Sequence, residues 1–464
     1  LSFRADRRFL ETVLEEASRP RAGLVANAQQ RIAAVAPKDA SYAVDTLADR
    51  MRADAQAAIF RTDEFFTTLD FFLRGQERER SQFATQIRLT PAVRTQPDYQ
   101  LVEEAWADLS KLYSVIAKGF GKLAQAVTDL SHTLDIEGQD ELRAALLSNG
   151  QMLDEARVNL DALVLQPSAE MIYWAEQFKD NTSLHAAPLH VGPLVEKHIF
   201  QSKETVVLTS ATLRTAGYGR AESTFDYLRD RLHAREADEM AVGSPFDYKN
   251  STLLYLVTDI PEPNQPGYQR MLEEAIIDTA VALGGRTLVL FTANSHLNQT
   301  AQAIESTLTR QRITTLVQGP GASRQQLLAQ FRREGNRAVL LGTRSFWEGV
   351  DVPGPALTAL LIAKLPFDVP TDPIFAARSE TYENSFFEYS IPEAVLRFRQ
   401  GFGRLIRRTT DEGVVIVLDK RVLTKRYGQM FLEALPGCTV VRQRADRIGE
   451  LIDRWMARDR SKKL

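Results

Sequence analysis

Two arginines three residues apart, Arg404 and Arg407, close the stretch Gln400-Gly401-Phe402-Gly403-Arg404-Leu405-Ile406-Arg407 and lead into the apolar run Val414 to Leu418. On a helix that spacing puts both guanidinium groups on one face. Two planar, permanently charged forks can hold the terminal phosphate of a nucleotide while its charge redistributes during cleavage. Arginine pairs on helices are also a common form of solvated surface, so this pair gains weight only from its company. Three further stretches supply it, each an apolar run ending in small polar groups: Thr205-Val206-Val207-Leu208-Thr209-Ser210-Ala211-Thr212, Arg286 to Ala293, and Ala338 to Pro353. The last places Thr343 at the end of its run and Glu348-Gly349-Val350-Asp351 shortly beyond.

The elements that must carry these residues fall into two textures. From Leu1 to about Pro167 the periodicity is helical almost throughout. Val102, Trp106, Leu109, Tyr113, Ile116, Phe120, Leu123, Val127 and Leu130 alternate steps of four and three, a heptad seam. At 1.5 Å per residue it is a rod roughly 40 Å long. Leu142, Leu146, Asn149, Leu153, Ala156, Leu160 and Leu163 repeat the spacing after the polar link Ser131 to Asp140, so the two read as an antiparallel hairpin. The same spacing suits a generic bundle or an oligomerisation coil. From about Ser168 strands are expected at Met171 to Trp174 and Thr205 to Ser210, with a helix at Val191 to Phe200. Beyond Pro245 apolar strands alternate with helical stretches: Leu253 to Val257, Thr287 to Phe291, Thr314 to Val317, Ala338 to Leu341, Leu357 to Ala363, Val414 to Leu418 and Thr439 to Val441. That alternation predicts an α/β fold, a parallel sheet covered by helices on both faces. Ligands of such sheets sit beyond the carboxyl ends of the strands, so the residues just after the strands are the ones to inspect.

Composition bounds the reading. The chain has 464 residues, enough for about three domains with a core in each. Fifty-seven basic against 60 acidic residues leave a net charge of −3, so affinity for nucleic acid would come from local patches. One cysteine, Cys438, excludes a disulfide framework and suggests a cytoplasmic setting. No run is long enough for a membrane span, and no signal peptide is seen. The six histidines form no ligand spacing, so no metal site is assigned.

Taken in order, the Ser-Ala-Thr stretch, the R-T-L-V-L-F-T-A strand, F-W-E-G-V-D-V-P-G and Q-G-F-G-R-L-I-R-R resemble motifs III, IV, V and VI of superfamily-2 helicases, closest to the DinG-like and XPD-like branch of DNA helicases. The resemblance implies a RecA-like second motor domain at 216–464, the last pieces of a first motor domain at 168–215, and a helical arch domain at 1–167. It implies an ATP-dependent enzyme moving 5′ to 3′ on single-stranded DNA or DNA junctions in repair or replication, with ATP and Mg²⁺ as cofactors. Arg404 and Arg407 would be arginine fingers, with Gln400 one turn earlier sensing the nucleotide. Asp351, Gly349 and Gly403 would lie on the nucleotide side. Thr343 would contact a nucleic-acid phosphate. Thr292, Asn294, Ser295, Arg344 and Arg324 are further contacts to a strand, although Asn294 and Ser295 could equally cap a helix. Ser210, Ala211 and Thr212 would couple the nucleotide site to the track. Trp347 either stacks on a base or fills the core.

Two parts of a complete motor are missing from these residues. There is no G-x-x-x-x-G-K-[ST] loop to cradle phosphates. Gly119-Phe120-Gly121-Lys122 has the wrong spacing and lies in the heptad pattern. Asp154-Glu155-Ala156-Arg157 imitates a D-E-A-H box but follows helical spacing, so it reads as a solvated helix face. The chain therefore reads as a piece of a longer helicase, cut after its D-E-A-H box, whose missing N-terminal motor domain is its partner. Any iron-sulfur cluster would belong to that missing part. That reading expects no ATPase activity from the piece alone and an upstream frame encoding the phosphate loop. A stand-alone binding module with a degenerate helicase fold would lack that frame, and an RNA helicase of the same superfamily has no distinguishing short mark.

Overall fold

The computed structural model describes residues 2–76, 85–178, 181–210, 212–216, 223–319, 321–334, 337–348, 352 and 354–458. The chain divides into two compact units, one of residues 1–190 with 370–378 and one of residues 191–369 with 379–464.

The first unit is built on helices α1 (Arg7–Ser18), α2 (Leu24–Val35), α3 (Lys38–Gln76), α4 (Pro97–Ser131) and α5 (Gln139–Val164). Pro97 at the first turn of α4 starts the helix without losing a needed donor, and Val102 through Val127 of the heptad seam are buried. Leu142, Leu146, Leu153, Ala156, Leu160 and Leu163 of α5 answer them. One carboxylate locks the hairpin: Asp161 accepts from Trp106 Nε1 at 2.8 Å, Ser110 Oγ at 2.7 Å and Arg157 at 2.8 Å. Gly119 of the phosphate-loop look-alike lies inside α4, where a Cβ would come within 2.7 Å of the Met51 sulfur, so its smallness serves packing. Asp154 pairs with Arg157 along α5, as a helix face does.

Among the described residues of 1–167 the regular elements are helices apart from two four-residue strands, β1 (Phe3–Asp6) and β2 (Thr85–Arg88). With β3 (Met171–Phe178) and β4 (Asn181–Pro188) they form an antiparallel sheet in the order β1-β4-β3-β2. Residues 370–378 join this unit: Ala377 and Ile374 pack with Ile172 and Trp174, and Arg378 donates to the carbonyls of Leu189 and Pro188.

The second unit is a seven-stranded parallel sheet in the order β13-β7-β12-β11-β8-β10-β9. A two-stranded ribbon, β5 (Thr215–Ala216) with β6 (Ser223–Thr224), precedes it. The sheet strands are β7 (Thr252–Val257), β8 (Thr287–Leu290), β9 (Thr314–Val317), β10 (Ala338–Gly342), β11 (Ala359–Ile362), β12 (Gly413–Val417) and β13 (Thr439–Gln443). The seven predicted strands beyond Pro245 are all present. The apolar runs of the five inner strands follow from burial on both faces, whereas the edge strands β9 and β13 are partly exposed, and the two-residue period splits the inner runs. Leu254, Leu256, Leu360, Ile362, Val415 and Val417 point to one core; Leu253, Tyr255, Leu361, Val414 and Ile416 point to the other. Helices α6 (Tyr268–Leu283), α7 (Asn294–Arg310), α8 (Arg324–Glu334), α9 (Arg344–Trp347), α10 (Ile391–Phe402) and α11 (Ile448–Ala457) complete the layers. The first core takes α8 and α10, and the second takes α6, α7 and α11.

Two local expectations change. Residues 205–210 form no strand: they are an irregular segment in which Val207 is 80% and Leu208 45% exposed. A strand exists only where a neighbour takes its N–H and C=O groups, and among the described residues none pairs with this run. The helix expected at Val191 to Phe200 is present over Gly192–Phe200, but it widens from α at Gly192–Val195 to π at Glu196–Phe200.

Candidate functional site

Because all seven strands are parallel, their carboxyl ends share one edge, and most of the singled-out residues lie on it. Gln318 follows β9, Thr343 and Arg344 follow β10, and Thr292, Asn294 and Ser295 follow β8. β9, β10 and β8 are adjacent. Thr343 is buried, and both its N–H (2.7 Å) and its hydroxyl (3.0 Å) donate to Gln318 Oε1. A side-chain oxygen thus occupies the point on which two donors converge. Gln318 was not singled out by sequence; its only signal is its place just after a strand.

Asn294 and Ser295 open α7, whose N-cap position is Ala293 with no side-chain bond. Neither acts as the cap, and both are exposed. Thr292 is half-buried, and none of the three side chains makes a hydrogen bond among the described residues. Arg344 is exposed and 3.6 Å from Asp368. Arg324 begins α8 on the surface.

Arg404 and Arg407 stand apart from this row, and not on a helix. α10 ends at Phe402, and Gly403 at its C-cap turns the chain. Asp411, buried to 7% exposure, accepts at Oδ2 from the backbone N–H of Arg407 (2.9 Å) and Arg408 (2.8 Å), and at Oδ1 from that of Gly354 (3.2 Å). Donors that would otherwise continue a helix are captured by this carboxylate, and a turn replaces the helical face predicted for the two arginines. Arg404 is half-buried, and its Nε–H donates to the carbonyl of Trp347 at 3.0 Å.

Trp347 is a core residue at 1% exposure, its indole N–H donating to the Phe291 carbonyl at 2.9 Å. This settles its role: base stacking is excluded by burial. Its ring lies against Gly401, where a Cβ would come within 2.8 Å of the indole. The β8 end, the β10 helix and the arginine turn are therefore one packed assembly. Gln400, on the same helix, is half-buried and makes no side-chain hydrogen bond among the described residues. Arg399 donates to the Arg214 carbonyl at 3.1 Å, and burial, then the Arg214 charge, lower its pKa.

The loop after β11 was also missed. Arg397 of α10 donates to the Pro366 carbonyl at 2.8 Å and to Asp368 at 3.0 Å. Leu365 N–H donates to fully buried Asp419 at 2.8 Å, and Arg421 forks onto the same carboxylate at 2.6 Å. An Asp directly after the run Val414 to Leu418 was the available signal. Ser210 and Thr212 bond each other, hydroxyl to hydroxyl, at 3.1 Å on an exposed turn. Ala211, Gly349 and Asp351 lie outside the described residues. Gly403 has φ −64°, and a Cβ there would meet only ordinary contacts at 3.5 Å.

Among the described residues no group of three His, Cys, Asp or Glu could hold a metal ion, and no helix is long and apolar enough to cross a membrane.

Comparison with known proteins gives the same picture from outside. Residues 276–438 match the family described as Helicase C-terminal domain. The chain is 37% identical over 276 residues to the protein named 3'-5' exonuclease DinG of Bacillus subtilis, covering 57% of this chain and 29% of that protein. It is 36% identical over 268 residues to the ATP-dependent DNA helicase YoaA of Escherichia coli, covering 57% of this chain and 40% of that one. Against the YoaA of Haemophilus influenzae it is 32% identical over 334 residues, covering 71% and 50%. The chain thus spans half or less of the length of these relatives. A solved structure titled XPD_APO is similar at TM-score 0.47 and 12% identity, over 95% of this chain and 73% of that one. With the parallel sheet, the ordered motif stretches and these relatives together, the chain is similar to the C-terminal part of DinG-like helicases, and residues 276–438 are the part that matches the helicase C-terminal domain.

Proposed function

We propose that this chain is the part of an ATP-dependent DNA helicase that completes the nucleotide site with Arg404 and Arg407 and offers the carboxyl edge of its sheet to a single strand. The observation that carries the reading is the bond from Arg404 to the Trp347 carbonyl, with Trp347 itself bonded to Phe291. A shift of the arginine turn moves the ends of β8 and β10, where the strand contacts are. That is the mechanical link a motor needs between phosphate and track.

ATP supplies the free energy when its terminal phosphate is cleaved. Arg404 and Arg407 meet the charge that develops on that phosphate, a contribution worth about 10³ to 10⁵ in rate for arginine fingers. Asp411 fixes the turn that presents them, and Gln400 follows the nucleotide from one helical turn away. Thr343 exchanges Gln318 for a phosphate oxygen of the strand, and Thr292, Asn294, Ser295, Arg344 and Arg324 extend that contact. Asp351 and Gly349 belong to the nucleotide side. The exposed 205–210 run takes its missing strand neighbours from a first motor domain, with Ser210, Ala211 and Thr212 at the junction. In this reading 168–215 closes that first domain, 216–464 is the second, and 1–167 is a helical arch.

We infer movement 5′ to 3′, work in DNA repair or replication, and a cytoplasmic location. Mg²⁺ is held by the first motor domain. A four-cysteine iron-sulfur cluster would need ligands beyond the single Cys438. The test is ATP turnover by the 464-residue chain alone and by the longer protein containing it. The chain alone is expected to show none, and the longer protein a DNA-stimulated rate that Arg404→Ala abolishes. Turnover by the chain alone, lost in Arg404→Ala, would overturn the division of the site between two domains.

A further inference from the structure

The carboxyl-edge row does not stop at Thr292. β11 is the next strand beyond β8, and Lys364 follows its end by two residues. Its ammonium is 3.1 Å from His296 Nε2 and 5.5 Å from the centre of the Tyr268 ring. His296 comes from the first turn of α7, beside Asn294 and Ser295, and Tyr268 opens α6. Three elements converge on one lysine.

What Lys364 lacks is a carboxylate in direct contact. No carboxylate lies within 4.0 Å of it among the described residues. The nearby Asp419 is spent: its two oxygens accept from Leu365 N–H and from the backbone and guanidinium of Arg421. A half-buried ammonium with a neutral imidazole and an aromatic face for company is costly to keep. Because Lys364 donates to Nε2, His296 carries its own proton on Nδ1, and that buried nitrogen has no hydrogen-bond partner. Burial, then the Arg421 charge, push the lysine pKa down against a smaller opposing pull from Asp419, and burial and Lys364 push that of His296 down. The ammonium spends one proton on His296 and keeps two for a ligand.

We propose that Lys364 contacts a phosphodiester of the bound single strand, extending the Thr343 and Thr292 row by one strand of the sheet, with His296 and Tyr268 positioning its ammonium. The inference rests on the nucleic-acid reading of that edge. Strands lie about 4.8 Å apart, so the added step from β8 to β11 lengthens the track by roughly 5 Å.

The experiment is fluorescence anisotropy of a labelled oligo-dT with the 464-residue chain over a salt series. Lys364→Met is expected to weaken binding and to lower the slope of log K against log salt by about 0.7, the share of one single-strand phosphate contact. Lys364→Arg is expected to keep the slope. The thermal midpoint of Lys364→Met is expected to hold or rise, since an uncompensated charge is removed; a lysine with only a packing role would lower it and leave the slope alone. If the wild type binds and Lys364→Met matches it in affinity and slope, the role of Lys364 falls while the edge keeps its reading. If the wild type does not bind the oligonucleotide, the reading of the edge falls as well. Displacement of the oligonucleotide by ATP that Lys364→Met abolishes would assign the ammonium to a nucleotide phosphate and overturn the proposal.

Discussion

Gly401 and Gly403 flank one phenylalanine in the same motif, yet only the first is demanded by its surroundings. Gly401→Ala pushes a methyl into the Trp347 ring and Leu290, where the cost of overpacking is about 1–3 kcal/mol. Gly403→Ala meets open contact distances and is expected to be near neutral in stability. Denaturant midpoints of the two variants test the contrast. The Asp411 carboxylate takes three backbone donors, so Asp411→Ala is expected to cost about 1–3 kcal/mol or more and to loosen the arginine turn. An unchanged midpoint would show that solvent replaces it. His296 has a folded pKa below its usual 6.5, with burial the larger cause. The unfolded chain therefore binds the extra proton, and this contribution to stability is present above the unfolded value and lost as pH falls below it. His185 is depressed in the same direction, by burial first, so His296→Gln is expected to flatten but not abolish the loss of stability on acidification from pH 6.5. Parallel pH titrations of the melting midpoint check it.

At the scale of elements, the readable parts were those in which one pattern had one physical meaning. A heptad seam buries one face, and α4 and α5 follow it from Val102 to Leu163 with only Leu130 and Asn149 half-buried. Seven runs between helical stretches became seven parallel strands, and for the five inner ones burial on both faces leaves no polar alternation to misread. The unreadable parts depended on distant partners. β1 and β2 are four residues each and pair with Ala186 and Gln177, far along the chain, so nothing local marks them. The run Thr205 to Ser210 shows the opposite failure: its composition is that of a strand, but no described neighbour completes it. In hydrogen exchange its amides are expected to exchange fast while those of β8 and β12 stay protected, and slow exchange at 205–210 would contradict the exposed conformation. The strand-end positions of Thr343 and Thr292 were legible, because each follows an apolar run that became a strand. The site was illegible where geometry depended on tertiary partners, as with Gln318, Asp411 and the placement of Trp347.

For the whole molecule, two units with separate cores make up a chain that spans half or less of the length of these curated relatives, and under the proposed reading the work is done by a longer protein that contains it. The most direct test is ATP-dependent unwinding of a 5′-tailed DNA duplex by that longer protein, with Arg404→Ala and Arg407→Ala measured beside it. Unwinding abolished in both variants while single-strand binding survives is the predicted result. Single-strand binding with no ATP-driven unwinding, unchanged by either substitution, would contradict it and leave a helicase fold serving as a scaffold.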